Sequence, residues 1–213
     1  MNLNITLLLL HTFMELHTDG KVKIYNEISL QLELGLYLRE RMGKEYNIRF
    51  ERNVSSYAKD NHNFIKREID IVLFKGKDDT CSEERYAIEL KFPRNGQYPI
   101  EMFEFIKDIK FMEEVKEHLN FQKTYCLTIV DDHLYYLESS KSKSSIYSYF
   151  RVGEAKKEIP CKIGIIKPTG DKEPDIKLEK AHTLEWLPLN ENCDWIDDKH
   201  QLDDYRYYII GID

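Results

Sequence analysis

Cysteine is scarce in this sequence, and its spacing fits no common metal or disulfide motif. The four residues lie far apart and include no C-x-x-C pair: Cys81, Cys126, Cys161 and Cys193. Zinc ribbons need clustered cysteine ligands, and small secreted domains need a dense disulfide framework. The spacing therefore argues against both classes and predicts a reducing compartment, which we take to be the cytoplasm.

Short motifs that define several enzyme classes are also missing. The chain has no H-E-x-x-H motif and its seven histidines are dispersed, so we expect no zinc site. It has neither a P-loop nor a G-x-G-x-x-G, and we therefore expect no nucleotide cofactor and no nucleotide hydrolysis. The nucleophile motif G-x-S-x-G does not occur either.

The chain lacks a hydrophobic run long enough to span a bilayer. The apolar stretch 5–10 is far too short for that role. No basic residue precedes it, His11 and Glu15 interrupt it, and no small-residue cleavage site follows, which together argue against a signal peptide. We predict a buried first helix at 2–18 and no membrane partner.

An excess of positive charge, typical of nonspecific DNA-binding proteins, is absent as well. The net charge is −7. Residues 168–204 hold eleven acids and four bases, so this segment alone carries 4 − 11 = −7. The remainder has 27 bases and 27 acids and is neutral. A neutral domain with a local basic face can still bind a polyanion, so nucleic acid is not excluded as a partner.

What the sequence does contain is an alternation of helical and extended patterns. Its 213 residues suit a single domain with a sizeable core. A helix is predicted at 27–42, with Asn26 as the N-cap and Gly43 as the stop. The next predicted elements are strands at 46–57, 68–74 and 86–92, a helix at 99–119 and a strand at 124–130. Further strands are predicted at 134–137, 146–152, 161–166 and 205–212. This order predicts an α/β fold in which helices cover a mixed central β-sheet.

Two of the predicted strands carry charges inside apolar runs. Asp70 lies between two isoleucines, and Glu89 and Lys91 lie two residues apart in the next run. Side chains two apart on a strand point to the same side, and a desolvated charge needs a partner or a metal. The pattern predicts either a Mg²⁺ site or a buried Asp–Lys–Glu ion-pair network.

This arrangement resembles the PD-(D/E)XK nuclease superfamily, which includes many restriction endonucleases. In that pattern one strand carries an acid and the next carries acid-x-lysine, after a helix that often bears a glutamate. Asp70 matches the first acid, although Ile69 replaces the proline, and Glu89 and Lys91 match the second element. Glu27 is the candidate for the helix glutamate. The resemblance implies a restriction-endonuclease-like core at about 26–131, with a β-rich extension at 132–213 in the same domain.

The resemblance also implies roles for these residues. Asp70, Glu89 and the Leu90 carbonyl would bind Mg²⁺, or Mn²⁺ as a substitute, because both are hard cations that prefer oxygen ligands. The metal would lower the pKa of bound water and stabilise charge on the phosphate. Lys91 would orient the attacking water or help to deprotonate it, and Glu27 would complete the catalytic set.

Several polar residues near these positions are candidates for substrate binding. Basic and amide side chains next to an active site can contact phosphates. The candidates are Gln31, Lys66, Arg67, Arg94 and Gln97. A solvated basic face is the alternative for Lys66 and Arg67, and a turn-forming role is the alternative for Arg94 and Gln97.

The sequence therefore predicts a Mg²⁺-dependent endonuclease that hydrolyses DNA phosphodiester bonds, in defence or in DNA processing. A homodimer or a protein partner is compatible with this interpretation. The alternative is a catalytically inactive nuclease-fold module that binds a protein partner through the acidic segment 168–204.

Overall fold

A computed structural model describes residues 4–16, 22–58, 62–94, 96–138, 146–153, 155–168, 173–189 and 204–213. The helices are α1 (Asn4–Met14), α2 (Glu27–Met42), α3 (Tyr98–His118) and α4 (Tyr147–Phe150), with 3₁₀ turns at Val54–Ser56 and His133–Tyr135. The strands are β1 (Tyr46–Asn53), β2 (Glu68–Lys75), β3 (Arg85–Lys91), β4 (Lys123–Val130), β5 (Lys157–Ile159), β6 (His182–Leu184), β7 (Leu187–Pro188) and β8 (Arg206–Ile212).

Within the described residues, six strands form one mixed sheet in the order β1-β2-β3-β4-β8-β7. Strands β1, β2 and β3 form an antiparallel meander, and β4 lies parallel to β3. A parallel neighbour requires a long crossover connection, and α3 supplies it. Strand β8 then pairs antiparallel with β4. The predicted mixed sheet flanked by helices is therefore confirmed.

Helices cover both faces of this sheet. Leu30, Leu34 and Leu38 of α2 pack with α1 on one face, and α3 buries Phe105 and Ile109 against the other. Strand β4 is buried along its whole length, as expected for a strand covered on both sides. Two hydrophobic cores thus hold the central strands, one on each face of the sheet.

Helix α2 begins and ends where the sequence predicts. The Asn26 side chain accepts the backbone N–H of Ser29, and the Ser29 hydroxyl accepts the backbone N–H of Asn26. This reciprocal capping box fixes the first turn of the helix. Gly43 follows the last turn at φ 70°, a conformation that glycine adopts at little cost. The cap places Glu27 in the first turn of α2.

The first helix and the first strand are shorter in the structure than the sequence predicts. Helix α1 occupies 4–14 of the predicted 2–18, and 2–3 and 17–18 lie outside the described residues. Strand β1 stops at Asn53, whose side chain accepts the N–H of Ser55 and starts a 3₁₀ turn. No helix among the described residues is both long enough and apolar enough to cross a membrane.

Three of the strand predictions after β4 are wrong. Residues 134–137 fall on a 3₁₀ turn that starts where the Asp132 side chain accepts the N–H of Leu134. Residues 146–152 contain the short helix α4 instead. Both segments are rich in tyrosine and leucine or phenylalanine, and their β-propensity is overridden by packing of these aromatics on α3. At 161–166 the structure has an isolated bridge between Ile165 and Ile176 in place of the predicted strand.

Candidate active site

Strands β2 and β3 separate at the position of two acids. Their antiparallel pairing ends at Ile71 and Ile88, one residue short of Asp70 and Glu89. Beyond that point β3 continues beside β4 as far as Lys91. The two acids therefore lie opposite each other where the strands diverge, and their charges interact, since Asp70 raises the pKa of Glu89.

The Asp70 side chain fills the gap between the diverging strands. Its Oδ2 accepts the backbone N–H of Leu90 at 2.7 Å, in the place where a β2 carbonyl would accept in a continued ladder. The N–H and C=O of one strand residue point to the same edge. The Leu90 carbonyl therefore also faces the gap, on the same side as the Asp70 carboxylate, as its predicted role as a ligand requires.

Lys91 and Glu27 meet at the mouth of a surface groove. The Lys91 Nζ lies 3.6 Å from Glu27 Oε2, and the same oxygen accepts the backbone N–H of Phe92 at 3.0 Å. Burial tends to lower the pKa of Lys91, but the carboxylates of Asp108 and Glu27 outweigh burial and raise it. The groove has a volume of about 450 Å³, and Glu27, Lys91, Arg94 and Glu101 line it.

Two residues that sequence reasoning did not assign as ligands complete the charged cluster. Asp108 of α3 is 3% exposed and faces the sheet. The ammonium of Lys66 lies between Asp108 and Glu89: it donates to Asp108 Oδ1 at 2.8 Å and to Glu89 Oε1. The sequence predicts substrate binding by Lys66; in the structure its ammonium pairs with the buried acids Glu89 and Asp108, and other residues line the groove.

A signal for Asp108 exists in the sequence. It is an acid within the apolar phase of α3, between the buried residues Phe105, Ile109 and Met112. A charge in such a position needs a partner, and the strand acids are the natural choice. The pairing of Lys66 has no comparable signal, because Lys66 precedes β2 in irregular structure and its direction depends on tertiary packing.

The acids of this cluster are hard to ionise. Burial raises the pKa of Asp70 to about 7, and nearby Glu27 and Asp108 add to the effect of burial. Burial raises the pKa of Glu89 well above its usual value, with further contributions from Asp70 and Asp108. Carboxylates that repel one another in a desolvated site attract a cation strongly. The cluster is thus suited to bind positive charge.

Two buried oxygens in the cluster have no hydrogen-bond partner in the described part of the chain: Glu89 Oε2 and Asp108 Oδ2. Buried polar atoms are nearly always paired, so an unpaired one requires an explanation such as an ion. The described residues contain no group of three or more His, Cys, Asp or Glu side chains arranged to hold a metal. Mg²⁺ keeps several waters and needs only one or two carboxylates, so the residues present fit that ion.

The structure places the other predicted substrate-binding residues in different surroundings. Gln31 Nε2 donates to the Asp70 carbonyl at 2.9 Å and to Glu51, so it supports the backbone of β2. Arg94 lines the groove and pairs with Asp131 at 3.2 Å. Gln97 is exposed just before α3, and Arg67 is exposed just before β2.

The acidic segment 168–204 is described only in part, because 169–172 and 190–203 lie outside the described residues. Three of its described acids are ion-paired with bases of the domain. Glu173 pairs with Lys107 and Lys167, Glu179 pairs with Lys110, and Glu185 pairs with Lys156. Ion pairs therefore hold this part of the acidic segment against the rest of the domain.

Comparison of the chain with models of protein families, with curated proteins and with solved structures finds no match. Function is therefore inferred from the side chains and their geometry.

Proposed function

We propose that this protein is a Mg²⁺-dependent nuclease that hydrolyses DNA phosphodiester bonds and has a restriction-endonuclease-like core. The observation that carries the proposal is the divergence of β2 and β3 at Asp70 and Glu89, beside a groove that contains Lys91. The order helix, three strands, helix, strand from α2 to β4 agrees with that core. Buried acids with raised pKa values, close in the chain to a groove lined by Glu27 and Lys91, are also features expected of an active site.

Asp70, Glu89 and the Leu90 carbonyl would hold the cation, and the unpaired Glu89 Oε2 supports this assignment. A bound Mg²⁺ supplies a water of lowered pKa and stabilises negative charge on the scissile phosphate. Oxygen ligands of this kind suit Mg²⁺ and Mn²⁺ better than softer metals.

Lys91 is the residue that would act directly on the substrate. Its raised pKa keeps the ammonium protonated at neutral pH, so it donates hydrogen bonds to the attacking water and to a phosphate oxygen. Glu27 orients this ammonium from the first turn of α2, and Arg94 extends positive charge along the groove for a neighbouring phosphate.

The test is cleavage of supercoiled, linear and single-stranded DNA by the purified protein, with Mg²⁺, with Mn²⁺ and with EDTA. Removal of a group that stabilises transition-state charge typically costs about 10²–10³ in rate, and we expect a loss of that size for Lys91→Ala. Lys75→Ala is the matched control, since Lys75 lies at the far end of β2 in an exposed pair with Glu45. Metal-independent cleavage, or full activity of Lys91→Ala, would contradict the proposal.

A catalytically inactive binding module is the second candidate function. One observation favours it: the ammonium of Lys66 already forms ion pairs with both Glu89 and Asp108. If the protein binds DNA or a protein partner but cleaves no DNA form with either metal, this second function replaces the first. Capture experiments with and without residues 190–203 would then show whether the acidic segment carries the interaction.

A further inference from the structure

The position of Lys66 is the feature from which we draw a further inference. Residues 62–67 form neither helix nor strand, although they enter β2 directly. The side chain of Lys66 reaches from this segment into the cluster, 5.7 Å from the ring centre of Phe111. About 26% of the Lys66 side chain remains exposed, whereas Glu89 and Asp108 are almost fully buried.

A single ammonium leaves the charge of the pocket unbalanced. Glu89 is 1% exposed and Asp108 is 3% exposed, and Asp70 adds a third carboxyl nearby. Each of the first two gives one oxygen to Lys66, while its second oxygen stays buried and without a partner among the described residues. An ammonium offers three donors, but a divalent cation can bind several carboxylate oxygens at once.

We propose that the Glu89–Asp108 pocket is a divalent-cation site, with Asp108 as a ligand from α3, in which Lys66 and the metal exclude each other. The ligand class is a hard divalent cation, Mg²⁺ or Mn²⁺. This inference rests on the proposed function to the extent that the metal serves hydrolysis. Lys66 is then a resident counter-ion, which balances part of the charge of the buried carboxylates until a metal replaces it.

The exchange has a simple physical basis. Both cations need the same carboxylates, and two positive charges a few ångströms apart in a poorly solvated site repel strongly. When the metal binds, the ammonium of Lys66 moves to solvent along the exposed part of its own side chain. The competition lowers the metal affinity of the unmodified protein, so removal of the Lys66 charge is expected to increase that affinity.

The experiment measures Mn²⁺ binding by calorimetry and by electron paramagnetic resonance, without DNA. Lys66→Gln is expected to bind Mn²⁺ at least about tenfold more tightly than the unmodified protein, which corresponds to ~1.4 kcal/mol. The double variant Lys66→Gln/Asp108→Asn is expected to lose that gain. Lys110→Gln is the matched control, because Lys110 also bridges two carboxylates, Glu113 and Glu179.

A second measurement requires no variant and remains valid if Lys66→Gln fails to fold. Acylation of lysines by an amine-specific reagent is followed by peptide mass spectrometry, with and without Mn²⁺. Lys66 is expected to react faster when Mn²⁺ is present, and Lys110 is expected to react at the same rate in both conditions. An unchanged rate for Lys66 at saturating Mn²⁺ would overturn the inference.

The binding results separate this inference from the proposed function. If Lys66→Gln binds Mn²⁺ no more tightly than the unmodified protein while DNA cleavage is observed, the exchange is wrong and the nuclease proposal stands. If the gain in affinity depends on Asp108 while no DNA form is cleaved, the cation site stands and the nuclease proposal fails. A gain that survives Asp108→Asn overturns the assignment of Asp108 as a ligand.

Discussion

Glu113 joins helix α3 to the C-terminal part of the chain, and its replacement by glutamine is the most direct test of how that part is held. The Glu113 carboxylate is 5% exposed. It accepts the backbone N–H of Glu179 at 2.9 Å and that of Lys180 at 3.0 Å. It also lies 2.9 Å from Nε2 of His182, the first residue of β6.

The size of the effect follows from these three contacts. A hydrogen bond to a charged group contributes about 1.5–3 kcal/mol, and an abandoned buried donor costs about 1–3 kcal/mol. Glutamine retains one acceptor oxygen but turns an NH₂ donor toward other donors. Because part of the site can rehydrate, we expect Glu113→Gln to lower the free energy of unfolding by ~2–4 kcal/mol. For a chain of this size that lowers Tm by about 5–15 °C.

The destabilisation is expected to depend on pH. Burial tends to raise the pKa of Glu113, but the hydrogen bonds from His182, Glu179 and Lys180 outweigh burial, so its pKa lies below the usual 4.5. A carboxyl with a depressed folded-state pKa contributes stability above its unfolded pKa and loses it as pH falls through the folded pKa. The difference in free energy of unfolding between the unmodified protein and Glu113→Gln should therefore be largest at pH 7 and should shrink below about pH 4.5.

The assay is urea unfolding, followed by tryptophan fluorescence and circular dichroism at pH 7, 5 and 3. Glu117→Gln is the control, because Glu117 is exposed one turn further along α3 and surface substitutions usually change stability by less than about 0.5 kcal/mol. A loss under about 1 kcal/mol at pH 7 would refute the reasoning. A loss of the same size at pH 3 as at pH 7 would refute the electrostatic part of it.

Two further substitutions test the site and the helix that carries Glu27. The pKa of Asp70 is raised from 3.8 to about 7, so its contribution to folding stability is full below about pH 4 and is lost as pH rises through 7. Without metal, Asp70→Asn should therefore raise the free energy of unfolding at pH 8 by ~2–4 kcal/mol. A lower free energy of unfolding for this variant in EDTA would contradict the prediction. Gly35 of α2 lies directly against the ring of Phe50, where an added Cβ would clash, so Gly35→Ala should lower the free energy of unfolding by ~1–3 kcal/mol in urea denaturation. Phe50→Leu should partly restore that stability if the clash is the cause.

Much of the fold could be predicted because its signals are local. Asn26 and Gly43 bound α2 through capping and positive φ, which depend on a few neighbouring residues. The apolar runs of β2, β3 and β4 are bounded by turn residues, and their observed ends lie within one residue of the prediction. In these elements, local preference and burial favour the same structure.

The part that could not be predicted depends on contacts distant in sequence. Residues 134–137 have strand-like composition, but Asp132 caps a 3₁₀ turn there and the tyrosines pack into the core around α3. The hairpin register that sets Ile71 opposite Ile88 brings Asp70 next to Glu89. The insertion of Lys66 between Glu89 and Asp108 joins three separate segments, and spacing along the chain contains no information about it.

The pairing of β4 with β8 has a consequence for biosynthesis. Strand β4 ends at Val130, and its antiparallel partner β8 begins at Arg206. The edge of β4 that pairs with β8 therefore stays open during synthesis until β8 has left the ribosome. An uncovered apolar strand edge is a template for association with other chains. Nascent or truncated chains that stop before 206 should therefore depend on chaperones, even though the β1–β2–β3 meander and α3 are already complete.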